Sequence, residues 1–146
     1  MAMGKILVAI DIPASPAEVW ADVQHIDRHV EWMHDAESIA FTSPETDGVG
    51  TTFDCATKVG PLRLTDKMEI TEWEPERVMG VRHVGLVEGS GRFTLTETID
   101  GGTHFAWEEE LLFPWWMGGS LGGLVGGQIL KLIWRRNLEL LATRFS

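Results

Sequence analysis

Three ionisable residues fall on stretches whose alternate positions are apolar, and that placement is what would equip them for chemistry. Along 62–70 the apolar phase is Leu62, Leu64, Met68 and Ile70, which puts Asp66 on the same face; along 103–113 Phe105, Trp107, Leu111 and Phe113 share a face with Glu109. A carboxyl group held in an apolar cavity has its pKa raised, which suits it to general acid or base work. His83 lies two residues from Val81 and four from Met79, so one phase brings it to the inward face and the other turns it to solvent. Two blander readings stand beside the catalytic one: a β-bulge would flip the phase and leave both carboxyls in water, and a buried pair can simply bond a helix or a water molecule.

Other chemistry-bearing residues read as inert. Cys55, between Asp54 and Ala56, has no cationic or histidine neighbour in sequence, so a buried, unreactive thiol is expected. His25 and His29 have the spacing of ligands on one helix face, with Asp27 between them, but solvated surface residues account for all three and no metal is expected. A Walker loop and a strand-linked Rossmann fingerprint are both missing, so no nucleotide or other cofactor is expected.

The elements that must position these residues are legible in order. Lys5–Ile12 alternates as a half-buried strand. Ser15, Pro16 and Glu18 then supply an N-cap, a first-turn proline and a glutamate three after the cap, opening a helix that carries Val19, Trp20 and Val23. A second short helix, capped by Asp27, is expected over Asp27–Trp32. From 36 to 113 the pattern is β: Ser38–Phe41, Thr51–Lys58, Leu62–Trp73, Arg77–Val84, Ser90–Ile99 and Thr103–Phe113, joined by short Gly- and Pro-containing turns that imply antiparallel hairpins. A long amphipathic helix closes the chain, with Leu124, Val125, Ile129, Leu132 and Leu141 expected to pack on the sheet. The fold class is therefore α+β: a curved antiparallel sheet wrapped around a long C-terminal helix, with two short helices after the first strand.

Composition narrows the partners. The 146 residues suit a single domain, 1–146, and 44% hydrophobic with 23% charged residues is globular usage. A formal net charge of −10 repels phosphate backbones, so nucleic acid is excluded as a partner. The lone cysteine forms no internal disulfide, and a reducing cytoplasm is the expected location. The uncharged stretch Leu111–Leu130 is long enough to cross a bilayer, but Pro114, six glycines, Ser120 and Gln128 argue against a span. Seven Trp and six Phe with no Tyr call for an aromatic core or a lined cavity.

Several segments together resemble the START/polyketide-cyclase superfamily, also called SRPBCC. They are Ile10 through Trp20, Glu31-Trp32-Met33, Gly48-Val49-Gly50-Thr51, Thr71 through Arg77 and Gly101-Gly102-Thr103, which span nearly the whole chain. The resemblance implies the helix-grip fold and a hydrophobic cavity between sheet and helix. Its members include lipid and sterol carriers, quinone-binding proteins, hormone receptors and polyketide aromatases or cyclases. The expected function is binding of a small hydrophobic or amphipathic molecule. The alternatives are an aromatase, cyclase or dehydratase using Asp66, Glu109 and His83, and a membrane-associated lipid or quinone carrier.

Ligand-facing positions on the first elements and strands are expected at Trp32, Met68, Met79, Phe93 and Trp107. Nearer the C-terminus, Phe113, Trp115, Trp116, Leu121 and Val125 are expected to join them. Trp115 and Trp116 read equally as a rim at the cavity mouth, open to transient membrane contact, or as core. The glycine pairs from Gly118 to Gly127 likewise read as a bare helical stripe or as a mobile lid. Nothing in the sequence sets the oligomeric state.

Overall fold

A computed structural model describes residues 2–113 and 119–145, with side chains described at 5–112 and 127–145. Seven strands form one antiparallel sheet: β1 (Ala2–Ile12), β2 (Ala36–Phe41), β3 (Thr52–Val59), β4 (Leu62–Glu74), β5 (Val78–Val84), β6 (Glu88–Glu97) and β7 (Thr103–Phe113). Their order is β1-β7-β6-β5-β4-β3-β2, so consecutive hairpins run from β2 to β7 and the first strand returns to pair with the last, from Ala2 opposite Phe113 to Ile12 opposite Thr103. Helix α1 (Pro16–Val23) and a 3₁₀ helix (Ile26–Glu31) link β1 to β2, and α2 (Gly119–Thr143) closes the chain. This is the helix-grip arrangement expected from the sequence.

Local chemistry explains the boundaries. Ser15 caps α1 by accepting the Glu18 backbone N–H at 3.2 Å, while its hydroxyl donates to the Glu18 carboxylate at 3.1 Å; Pro16 fills the first helical position, where no intrahelical donor is needed. Val19, Trp20 and Val23 are thereby turned into the core, where the Trp20 ring meets Trp73 edge-on at 5.2 Å. Asp27 does not cap the next turn. It lies inside a 3₁₀ helix whose preceding residue, His25, makes no side-chain cap, because the chain has already turned at Ile26 to bury that side chain.

Two features depart from simple periodicity. A bulge between Ile70 and Glu72 shifts the β4 register, so Trp73 rather than Glu72 lies opposite the inward-facing Met79. On α2 the buried stripe is Trp134, Asn137, Leu138 and Leu141, at helical spacings of three and four. Leu132, expected in the core, is 66% exposed, since two residues of helix turn it about 200° from Trp134. Ile129 is also largely exposed, and Leu124 and Val125 have side chains outside those described. The glycine-rich start of α2 is helical from Gly119 onward.

The C-terminal half of α2 is tied down by charge as well as packing. Arg144 donates to both oxygens of Asp22 on α1, at 2.7 and 2.9 Å, and lies 3.1 Å from Glu31. Among the described residues no helix is long and apolar enough to cross a membrane.

Candidate functional site

Between the inner face of the sheet and α2 lies a cavity of about 400 Å³. Alternation along β4 brings Leu64, Asp66, Met68 and Ile70 to its wall, and alternation along β5 brings Met79, Val81 and His83. Helix α2 contributes Ile129, Leu130 and Trp134, and β7 contributes Trp107, Glu109 and Leu111. The Trp107 and Trp134 rings stack at 4.5 Å, nearly parallel, joining sheet to helix beside the cavity.

Set into this apolar wall is a polar cluster centred on His83. His83 Nδ1–H donates to both oxygens of Asp66, at 2.9 and 3.0 Å, and Nε2–H donates to Glu109 Oε1 at 2.5 Å. His83 and Glu109 are each 5% exposed. Burial opposes charge on the imidazole, but the two carboxylate hydrogen bonds and their negative charge outweigh it and carry the His83 pKa up to about 10. At neutral pH His83 is therefore an imidazolium with both donors engaged.

The register shows how three strands supply one cluster. His83 lies opposite Met68 on β4, one alternation from Asp66, and opposite Gly89 on β6, which in turn faces Leu111, one alternation from Glu109. A side chain on β6 would separate His83 from Glu109, but the two positions that intervene are Gly89 and Gly91. A Cβ on Gly91 would stand 2.5 Å from Glu109 Oε1 and closer still to its Cγ, so the Glu109 side chain occupies the space that this glycine leaves. Gly89 has φ +134°, a backbone conformation that favours glycine.

A family model described as polyketide cyclase / dehydrase and lipid transport matches residues 3–146. The chain belongs to this family. Solved structures with the same fold include a protein from Thermus thermophilus, 18% identical with a TM-score of 0.80 over 97% of each chain. The ZhuI aromatase/cyclase of a Streptomyces species is 16% identical with a TM-score of 0.73, over 97% of this chain and 93% of its own. A protein from Nitrosospira multiformis is 15% identical with a TM-score of 0.70, over 98% and 97%. No curated protein matches the sequence.

In this family member the sequence-expected residues separate cleanly. Asp66, His83 and Glu109 meet; Met68, Met79, Phe93 and Trp107 line the cavity. Trp32 does not line it: at 1% exposure it is packed behind the wall, its ring 6.0 Å from Phe93 and 6.3 Å from Trp107. The side chains of Phe113, Leu121 and Val125, and the whole of Trp115 and Trp116, lie outside the described residues. Cys55 lines the cavity as a neutral thiol, burial pushing its pKa up to about 11.

His29 is a correction to the sequence reading. It is buried rather than solvated, its Nε2–H donating to the Val23 carbonyl at 2.7 Å, and burial lowers its pKa to about 4. No metal-ligating group of three or more side chains occurs among the described residues. A second polar clamp escaped the sequence: Asp35, on the cavity wall, accepts from Trp134 Nε1–H at 3.0 Å and from the Asn137 amide at 2.8 Å, while the Asn137 carbonyl oxygen accepts the His34 backbone N–H at 3.1 Å. Its one sequence signal was Asn137, a polar residue on the same helical stripe as Trp134 and Leu141.

Proposed function

We propose that this protein binds a small, mainly apolar molecule carrying a polar group, in the cavity between the sheet and α2. The observation that carries the reading is the cavity itself: about 400 Å³, apolar on most of its wall, with the Asp66–His83–Glu109 cluster set into it. That combination is the common form of a small-molecule site, apolar area supplying affinity and a few polar groups supplying orientation. Native mass spectrometry of the purified protein, with extraction of any co-purified molecule, tests it alongside titration with a neutral fluorescent dye. A stoichiometric small-molecule adduct, or saturable dye binding lost on filling the cavity by Val81→Trp in a folded variant, is the expected result. Dye binding that survives Val81→Trp unchanged would place the ligand elsewhere.

A second reading, turnover of a polyketide-like substrate by cyclisation or dehydration, is favoured by the carboxyl groups beside His83 and by the likeness to the ZhuI aromatase/cyclase. In it Glu109 would act as the base on an acidic C–H and Asp66 with His83 would hold that carboxylate in place. Conversion of a poly-β-ketone thioester that Glu109→Gln slows by a factor of about 100 or more would establish it. The carrier reading depended on Trp115 and Trp116, which lie outside the described residues.

A further inference from the structure

The polar chemistry of the cavity is lopsided. Asp35, Asp66 and Glu109 are on its wall, and among the described lining residues the charge set against these three carboxyl groups is that of His83, already held by two of them. Arg92 also borders the cavity, but its guanidinium lies 3.1 Å from Glu72, a side chain that the β4 bulge sends to the other face of the sheet. His29 is engaged through Nε2 with Val23 and is neutral near pH 7.

Glu109 is the member of the cluster with capacity left. It takes the His83 proton donor through Oε1, and among the described residues no donor reaches Oε2. The residue is 5% exposed, yet the fully enclosed side-chain polar atom left without a partner among the described residues is Thr51 Oγ1, not Glu109 Oε2. Oε2 therefore borders open space, and the open space it borders is the cavity. Once a ligand displaces water from the cavity, an acceptor oxygen on an ionisable group is expensive to leave there unless the ligand donates to it.

Resting on the binding reading above, we propose that the ligand presents a hydrogen-bond donor to Glu109 Oε2, a hydroxyl, phenol or amine, and that the cavity rejects carboxylates such as fatty-acid anions. A donor completes the lone pairs of Glu109, whereas an anionic head group meets a second carboxylate with no free cation to offset it. Like charges brought together without water are strongly disfavoured, and burial of an unpaired anion adds to that. The apolar remainder of the ligand contacts Met68, Val81, Met79 and the Trp107–Trp134 pair irrespective of its head group, so affinity and head-group selection come from different parts of the wall.

The test uses three probes of one chain length, nonylammonium, nonanol and nonanoate, each displacing Nile red from the purified full chain. About 0.3 M salt screens the general attraction of an acidic protein for cations. The two ions are the decisive pair, since both lose hydration on binding. Nonylammonium is expected to bind at least about tenfold more tightly than nonanoate, with nonanol also ahead of nonanoate. Glu109→Gln, which keeps the shape but removes the charge, should shrink the difference between the ions to about threefold or less. Nonanoate binding as well as or better than nonylammonium to the unaltered protein overturns the inference while leaving the cavity a binding site, and so does a preference that Glu109→Gln leaves untouched in a folded protein. Failure of all three probes to displace the dye overturns the binding reading instead.

Discussion

His29 and His83 are both buried, yet they titrate on opposite sides of neutrality. Burial holds His29 down at about 4, its one polar partner being a backbone carbonyl; in His83 burial acts in the same direction but two carboxylates outweigh it and raise the pKa to about 10. Each shift is a statement about stability. Below the ordinary value of 6.5 an unfolded chain protonates His29 while the folded protein does not, so stability falls as pH drops from 6.5 toward 4. Above 6.5 an unfolded chain has lost the His83 proton that the folded protein keeps. The His83 contribution is thus complete below 6.5 and disappears as pH rises through about 10. Urea midpoints measured across this range should fall off on both sides, and His83→Leu should remove the alkaline decline while costing about 3 kcal/mol at neutral pH, because it strands the buried Glu109 carboxyl group and the half-buried one of Asp66. An alkaline limb that persists in the variant would assign it to another group. Thr51 Oγ1, enclosed and without a partner among the described residues, predicts the reverse sign: Thr51→Val should stabilise by about 1 kcal/mol, read from the same denaturation curves.

Strand β6 contributes to the cluster by what it lacks. Gly89 and Gly91 leave a bare lane across which β5 and β7 exchange a hydrogen bond, and the Glu109 side chain lies in that lane. Gly91→Ala should therefore displace Glu109, lower stability by about 1–3 kcal/mol and lower the His83 pKa, which NMR titration of the imidazole would follow. An unchanged titration would mean that Glu109 re-forms its bond around the methyl group. Helix α2 divides its leucines in a similarly testable way. Leu138 has no exposed surface, so Leu138→Ala should cost about 2–5 kcal/mol, whereas Leu132→Ala, at a position 66% exposed, should stay within about 0.5 kcal/mol of the parent. Thermal melts of the two variants compare the faces directly.

At the scale of the molecule, the cavity is held between parts joined at several points: Asp35 to Trp134 and Asn137, Trp107 against Trp134, and Arg144 to Asp22 and Glu31. These attachments set the spacing of α2 from the sheet, so a ligand filling the space should stabilise the folded chain without rearranging it. At a free concentration 100 times its Kd the gain should be about 2.7 kcal/mol, seen as a raised urea midpoint together with altered emission from the Trp107–Trp134 pair. The alternation of β4 and β7, the Ser15 cap, the hairpin turns and the helical period of the C-terminal segment were legible in the chain, because each is decided by forces acting within a few residues. So was the inward phase of Asp66 and Glu109, since apolar neighbours on either side define it. The phase of His83 was not, because Met79 and Val81 fit one reading and Arg82 the other until Met68 and Gly89 are known to flank it. Nor was the buried face of α2: Leu132 and Leu138 are chemically the same, and only the position of β1 and Trp107 beside the helix distinguishes them. The contacts that make the site join residues 17, 26, 99 and 102 positions apart, Asp66 and Glu109 to His83, Asp35 to Trp134 and Asn137. Local propensity carries no information over such distances; strand register and helix docking bring these groups together, and those are properties of the folded chain as a whole.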